Sequence, residues 1–182
     1  NQDLKDWLTL FEPLLPKMGS VMLQLPKSCS PAYMPRIEQF IQIWPKHIPL
    51  SIEVRHLGFF QKDDNEKRFN QLLMRHNVDR IIMDTRALFS EPANTDAIID
   101  AQNKKPRVPV NVIATGETPI IRFVGCSTLK NNHSFYVPWV EKIKQWQSEG
   151  KTPYVFFHTA DNHDSAQLAR QFCQDGGFNH NV

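Results

Sequence analysis

The sequence has few cysteines, no long apolar run and little net charge, and each shortage excludes a class of protein. Its three cysteines, Cys29, Cys126 and Cys173, are widely spaced and form no CxxC pair, which argues against a disulfide framework or a structural zinc site. No apolar run approaches the ~18 residues that span a bilayer, and no signal peptide opens the chain. The formal net charge of +2 is too small to indicate nucleic acid or a membrane as partner. We therefore expect a cytoplasmic protein whose thiols are small buried hydrophobes.

The length and composition fit one ordinary globular domain. The chain has 182 residues, of which 41% are hydrophobic and 22% are charged. We therefore predict a single domain over residues 1–182. The chain begins at Asn1 rather than Met, and apolar residues recur at helical spacing from Leu4 to Phe11. We therefore expect that it has been cut from something longer.

Short apolar segments recur along the chain at intervals of roughly 30 to 40 residues. The predicted strands are 21–25, 50–55, 80–84, 119–125 and 153–158. Amphipathic helical patterns separate them, which is typical of a parallel sheet covered by helices. No GxGxxG or GxxxxGK[ST] motif follows any strand, so a dinucleotide or P-loop fold has no support. We predict an α/β fold made of five strand–helix units of a TIM-like (β/α) barrel, three short of a closed eight.

The connections carry their own signals. The Ser30-Pro31 pair predicts a helix start, with Ser30 as the N-cap. Between the third and fourth strands the pattern is less regular. Asn94 is placed to cap a short helix from Thr95 to Asn103. A basic, proline-broken loop follows, and extended structure is predicted at Val110 to Ile113.

Every predicted strand ends in polar residues. Because strand side chains alternate between two faces, the residues that share a face can be assigned from the sequence. The polar residues assigned to the inward face, or just beyond it, are Gln24, Glu53, Arg55, His56, Asp84, Arg86, Arg122 and His158. The opposite face, predicted to pack under the helices, is apolar and includes Leu23, Ile52, Val54, Ile81, Met83, Ile121, Phe123, Val155 and Phe157. Ligands of parallel α/β folds bind at the C-terminal ends of the strands, so these residues predict one site.

Three chemistries fit this set, and a structural role competes with them. Three arginines could hold a phosphate or carboxylate: Arg55, Arg86 and Arg122. Glu53 or Asp84 could act as a general base, with His158 as acid or base. A divalent metal held by Glu53, Asp84, His158 and His163 has the least support, because no HxH or HExxH pair occurs and the arginines would repel a cation. The structural alternative is an ion-pair network, joining Glu53 and Asp84 to the arginines, that plugs the barrel.

Two flanking features have a simple interpretation beside a functional one. Phe59 and Phe60 follow the second strand and are better suited to cap a barrel mouth than to stack a ligand. Lys104, Lys105 and Arg107 form a basic loop that could approach a nucleic-acid backbone. A solvated loop is favoured over that interpretation because few aromatic residues are interleaved with it.

Several ordered motifs together resemble one known family. They are Glu53-Val-Arg-His56 with Phe59-Phe60, Asp84-Thr-Arg86, the run from Asp100 to Val110, Ile121-Arg-Phe-Val-Gly125, and the run from Pro153 to Asp161. In this order they closely resemble the YecE-like family of unknown function, and the likeness extends from Leu4 to about Cys173. The polar positions of the family's motifs fall on Glu53, Arg55, His56, Asp84, Arg86 and Arg122. Leu57 departs from the family, which usually has proline there, and so does Ala87.

This resemblance implies a TIM-barrel-like fold and no established reaction or cofactor. It also implies that family members carry an N-terminal part with the first three strands, which this sequence lacks. The five units would then be the C-terminal units of the barrel, and the barrel would not close.

The sequence thus predicts a barrel enzyme that acts on a phosphorylated or otherwise anionic substrate at the C-terminal mouth. Arg55 and Arg122 would clamp the anion, while Glu53 or Asp84 would move a proton. The alternative is a nucleic-acid-binding protein without chemistry of its own, which would use the mouth and the basic loop. The sequence identifies no cofactor and no oligomeric state.

Overall fold

The computed structural model describes residues 2–178, in which parallel strands alternate with helices. The strands are β1 Val21–Gln24, β2 Leu50–Glu53, β3 Asp79–Arg80, β4 Ile82–Asp84, β5 Ile120–Val124 and β6 Tyr154–His158. The helices are α1 Gln2–Phe11, α2 Met34–Ile43, α3 Asp64–Arg75, α4 Arg86–Ser90, α5 Asp96–Lys104, α6 His133–Ser148 and α7 Ser165–Gly176. The predicted alternation is confirmed, and four of the five predicted strands lie at the predicted positions.

The strands form two parallel sheets that are joined through one bent segment. The first sheet has the order β1-β2-β3 and the second has the order β4-β5-β6. Only Ile81 separates β3 from β4, and its amide donates to the carbonyl of Ile52 at 2.9 Å. The single strand predicted at 80–84 is therefore split, with one half paired to each sheet. Within residues 2–178, β1 and β6 each have one edge that pairs with no other strand. The sheets are therefore open, and no complete barrel is formed.

Helix ends follow local side-chain chemistry. Asp63 caps α3 by accepting hydrogen bonds from the amides of Asn65 and Glu66. The predicted cap of α5 was wrong by one residue, because the hydroxyl of Thr95, not Asn94, accepts from the amide of Ile98. Gly177 ends α7 at a φ of 66°, a conformation that glycine adopts without steric cost.

Two other local predictions need correction. Ser30 stands before a 3-10 turn that leads into α2, but its side chain makes no capping hydrogen bond. Residues 110–113 form no strand. Pro106 and Pro109 interrupt the amide donors just before it, and the whole run 106–115 is irregular.

The apolar core lies between the sheets and the covering helices. Ile52, Phe59 and Phe69 centre the part beneath the first sheet. Phe123 and Trp139 belong to the part beneath the second sheet, with α6 and α7. Burial of these large side chains supplies the main stabilisation of each half. No helix within residues 2–178 combines the length and the apolar character that crossing a membrane requires.

Candidate active site at the strand ends

The strand register assigns the polar residues to two faces. Laterally paired residues of parallel strands point to the same side of the sheet. Gln24 pairs with Glu53 in the first sheet, and His158 pairs with Val124 in the second. Arg122 lies two residues before Val124 and contacts Glu53 across the two sheets. We call the side that carries Gln24, Glu53, Arg122 and His158 the inner face.

Glu53 is the centre of a hydrogen-bonded network on the inner face. Its side chain is 1% exposed, and its two oxygens accept from different guanidinium groups. Arg55 Nε lies 2.7 Å from Oε1, and Arg122 Nη1 lies 2.5 Å from Oε2. Arg55 Nη2 also donates to Gln24 Oε1 at 2.7 Å. Glu53 was predicted to pair with Arg55 or Arg122, and it pairs with both, so one carboxylate is shared by two cations.

His158 extends the network at the end of β6. Its Nε2 lies 3.4 Å from Arg122 Nη2, and its Nδ1 lies 3.2 Å from Asn162 Oδ1. A guanidinium can only donate, so Nε2 accepts and the proton belongs on Nδ1, which donates to Asn162. Burial lowers the pKa of His158; the hydrogen bond to Asn162 opposes this shift, and the charge of Arg122 adds to it. The imidazole is therefore neutral near pH 7.

Lys105 brings a third cation to the same place from a loop. It follows α5 directly, and it lines a cavity together with Arg55. Burial lowers its pKa most, the two arginines lower it further, and Glu53 opposes them. The sequence pattern assigns Lys105 only to a basic loop, and it does not predict that Lys105 lines a cavity with Arg55.

A cationic cavity opens beside this network. Its volume is about 610 Å³, and it lies where β1, β2 and the segment after α5 meet. Its lining residues are Lys27, Arg55, His56, Leu57, Phe89, Gln102, Lys105, Pro106 and Arg107. Four of them are cationic and none is acidic, while Leu57, Phe89 and Pro106 supply an apolar wall. We call this space the basic cavity.

His56 lines the basic cavity and also shapes its rim. Its Nδ1 accepts a hydrogen bond from the amide of Gly58 at 3.0 Å, which starts the 3-10 turn Leu57–Phe59. Phe59, fully buried, packs against Phe69 instead of facing the mouth. His56 therefore presents only its Nε2 to a ligand.

The register corrects the predicted face of Asp84. Asp84 pairs with Phe123, and Met83 pairs with Arg122, so Asp84 points under the helices and Met83 points to the inner face. The segment 80–84 has three consecutive apolar residues, and sequence alternation therefore could not reveal its parity. Asp84 is not brought together with Glu53 or His158.

Asp84 and Arg86 form a separate structural clamp. Asp84 is fully buried, and its oxygens accept from the Arg86 guanidinium at 2.9 and 2.7 Å and from the Trp139 indole at 2.8 Å. Arg86 also donates to the carbonyl of Phe135 at 3.3 Å. This arrangement ties the start of α4 to α6. Both oxygens of Asp84 already accept hydrogen bonds, so Asp84 is a poor candidate for a base. We therefore assign neither Asp84 nor Arg86 to the candidate site.

The other predicted chemistries find no arrangement that supports them. No group of three or more His, Cys, Asp or Glu side chains within residues 2–178 is placed to hold a metal ion. The basic loop does not form one exposed stripe. Lys104 pairs with Asp100 at 2.7 Å, and the Arg107 guanidinium lies 5.5 Å from the ring centre of Phe89.

A second buried arginine was missed by the sequence analysis. Arg80 is 1% exposed and points under the helices, where it donates to Glu66 at 3.2 Å, Asn70 at 2.7 Å and the carbonyl of Phe59 at 2.7 Å. Its guanidinium also lies 4.9 Å from the ring centre of Phe60. Arg80 and Asp84 are four residues apart and therefore share strand parity. Both side chains point under the helices, away from the inner face. Its partners Glu66 and Asn70 lie in α3, and no local sequence pattern links them to Arg80.

Comparison with known proteins identifies the family. Residues 1–181 match the family described as "Protein of unknown function DUF72". The chain is 35% identical over 170 residues to the UPF0759 protein YecE of Escherichia coli, which covers 93% of this chain and 62% of the relative. The chain thus spans about three fifths of the length of the curated relatives it matches.

Solved structures agree on the fold. A DUF72 family protein from Enterococcus faecalis superimposes with a TM-score of 0.67 at 19% identity, over 94% of this chain and 67% of that one. A DUF72 family protein from Thermotoga maritima gives a TM-score of 0.65 at 18% identity, over 96% and 64%. Identities this low show the fold alone. The match over nearly all its length makes this chain a member of the DUF72 family of proteins of unknown function.

Proposed function

We propose that the inner face and the basic cavity bind a small anionic molecule, and that the protein is an enzyme acting on such a substrate. The observation that carries this proposal is the surplus of positive charge around Glu53. Arg55 and Arg122 share a single carboxylate, and the adjoining cavity, which Arg55 and Lys105 line, has no acidic lining residue. A phosphate or carboxylate would offset that surplus and accept bidentate hydrogen bonds from the arginines.

The surplus is costly unless it serves binding. Placing like charges close together in a partly desolvated site raises the free energy of the folded protein. The Arg55 and Arg122 side chains are only 18% and 13% exposed, so water screens them weakly. A structural plug needs only as many cations as carboxylates. The additional cations therefore support a ligand site better than a plug.

The network also favours particular roles for its members. Both oxygens of Glu53 already accept hydrogen bonds from arginine, so Glu53 positions the guanidinium groups and is a poor candidate for the general base. His158 is neutral and lies beside Arg122, so it is the better candidate to accept a proton. Gln24 would orient the ligand indirectly, by accepting a hydrogen bond from Arg55. His56 would orient it directly, through its Nε2.

The fold supports this position for the site. We propose that the six strand segments are the C-terminal part of a TIM-like barrel, as one domain, with the inner face directed toward the barrel axis. The site residues lie at the C-terminal ends of β1, β2 and β6, where ligands of such barrels bind. Cytoplasmic localisation stays a prediction.

The test is calorimetric titration with inorganic phosphate. Arg122→Gln keeps a side chain that can donate hydrogen bonds but removes the charge. A hydrogen bond to a charged group contributes about 1.5–3 kcal/mol, so we expect this variant to bind phosphate about tenfold or more weakly than the parent chain. The matched control is Arg75→Gln, because Arg75 is 67% exposed and its only ion pair spans 3.9 Å.

Each result has a defined meaning once circular dichroism shows that both variants fold. Weaker phosphate binding in Arg122→Gln alone supports the proposal. Equal binding by the parent chain and Arg122→Gln contradicts it. Retention on duplex DNA that falls steeply with salt, without phosphate binding at the cavity, would instead support the nucleic-acid alternative.

A further inference from the structure

Lys105 differs from the neighbouring lysine in what surrounds its amine. Lys104 and Lys105 are consecutive, yet Lys104 is exposed and pairs with Asp100 at 2.7 Å. Lys105 is half-buried and lines the basic cavity. Within residues 2–178 no carboxylate lies within 4.0 Å of its Nζ, whereas Lys151, for comparison, pairs with Glu117 at 3.3 Å.

The charges that face Lys105 disfavour its protonated form. Arg55 lines the same cavity, and the positive charges of Arg122, Arg55 and Lys104 lower the pKa of Lys105, while the charge of Glu53 opposes them. Lys27 and Arg107 line the same cavity. Burial and these cations lower the pKa of Lys105. A larger share of its amine is therefore unprotonated, and the unprotonated amine is the nucleophile.

The surroundings of Lys105 also favour one class of electrophile, an anion that carries a carbonyl group. The Arg55 guanidinium, which lines the cavity with Lys105, can hold a carboxylate or phosphate in a fixed orientation. The apolar wall of Leu57, Phe89 and Pro106 can contact the carbon skeleton of the same molecule. An anion held in this way would place a neighbouring carbonyl carbon within reach of Nζ.

We propose that Lys105 forms an imine with the carbonyl carbon of an anionic aldehyde or keto acid. The inference rests on the proposed function, since the arginine clamp must first hold the anion. The Nζ lone pair forms the new C–N bond, the C=O π pair moves to oxygen, and one N–H proton transfers to that oxygen. The resulting hydroxyl leaves with the second N–H proton as water, and C=N forms. Amine plus carbonyl gives imine plus water, so no oxidant or reductant is needed.

The probe is pyridoxal 5′-phosphate, used only as an aldehyde that carries a phosphate. The imine is reduced with borohydride, and the labelled lysines are identified by peptide mass spectrometry over a time course. We expect Lys105 to be labelled about tenfold or more faster than Lys104, a modest part of the gain that positioning a reactant can give. Labelling of Lys105 should persist to lower pH than labelling of Lys104, and inorganic phosphate should slow it.

Two variants make the test decisive. Lys105→Met should lose the fast labelling phase, and Lys104→Met, which removes a surface lysine of the same segment, should retain it. Labelling of Lys104 and Lys105 at equal rates overturns the imine proposal. Phosphate binding that depends on Arg122 without preferential labelling of Lys105 also overturns it, and leaves the proposed function standing. Fast labelling of Lys105 that phosphate does not slow overturns both, because the anion clamp would then play no part.

Discussion

Replacing Glu53 with glutamine tests whether the inner-face network is held together by one charge. Glu53→Gln conserves shape but removes the carboxylate that Arg55 and Arg122 share at 2.7 and 2.5 Å. The glutamine amide can accept from one arginine, while its NH₂ group must face the donor of the other. The variant therefore leaves a cation without a partner in a site where water screens it poorly.

The expected cost follows from the burial of the three groups. Removing one member of a buried ion pair costs about 3–5 kcal/mol, and the slight exposure of both arginines favours the lower end. For a domain of this size, about 3 kcal/mol corresponds to a fall in Tm of about 6–12 °C. Urea unfolding followed by circular dichroism measures the free-energy change, and a thermal scan measures the shift in Tm.

Phosphate makes this prediction specific. With the Glu53 carboxylate gone, a bound anion would be the charged partner that both arginines lack. We therefore expect phosphate to raise the Tm of Glu53→Gln by more than it raises that of the parent chain, because ligand that binds only the folded state stabilises it. The control is Glu38→Gln, whose side chain is 34% exposed and whose pair with Arg75 spans 3.9 Å. Its expected change is within about 0.5 kcal/mol. A Glu53→Gln protein as stable as the control variant, with no added response to phosphate, would refute this reasoning.

Three further predictions concern other buried polar groups. Arg80→Met should lower the free energy of unfolding, measured in urea, by about 3–5 kcal/mol, because it leaves the buried Glu66 carboxylate without its cation. A loss below about 1 kcal/mol would contradict this. Burial raises the pKa of Asp79, so the protein should lose stability as pH rises from the ordinary aspartate range through that raised pKa. Asp79→Asn should flatten this pH dependence. It should also cost about 1–3 kcal/mol, because the asparagine NH₂ group would face the backbone donors that now bind the carboxylate. Burial lowers the pKa of His158, so NMR titration should show that imidazole titrating below the ordinary value of about 6.5, and stability should fall as pH drops below that value. An imidazole that titrates at or above the ordinary value would contradict the assigned environment of His158.

The inner-face network could be predicted where the strand sequence alternates. Ser51 to Arg55 changes polarity at each residue, so Glu53 and Arg55 were assigned to one face without a structure. The strand from 120 to 124 carries a single polar residue, Arg122, among apolar ones, and its face followed in the same way. Parallel strands then bring their C-terminal ends together, which is why these residues meet.

The environments of Asp84, Arg80 and Lys105 could not be predicted, because they depend on tertiary contacts that leave no local pattern in the sequence. Asp84 follows three apolar residues, and the chain bends at Ile81, so its face was set by pairing with β5. Arg80 was taken as the start of a strand, because nothing in the sequence pairs it with Glu66 across the packing of α3. Lys105 comes from an irregular loop, and only the return of that loop to the strand ends places its side chain in one cavity with Arg55.

The central claim, an anion site built on Arg55, Arg122 and Lys105, is tested most directly by crystallography with an oxyanion that scatters anomalously. Crystals soaked in tungstate should show an anomalous peak at the inner face. Its oxygens should lie about 2.7–2.9 Å from the arginine nitrogens, as charge-assisted hydrogen bonds require. Tungstate found only at exposed lysines, with Glu53 as the only anion that contacts Arg55 and Arg122, would contradict the account and leave the network as a structural plug.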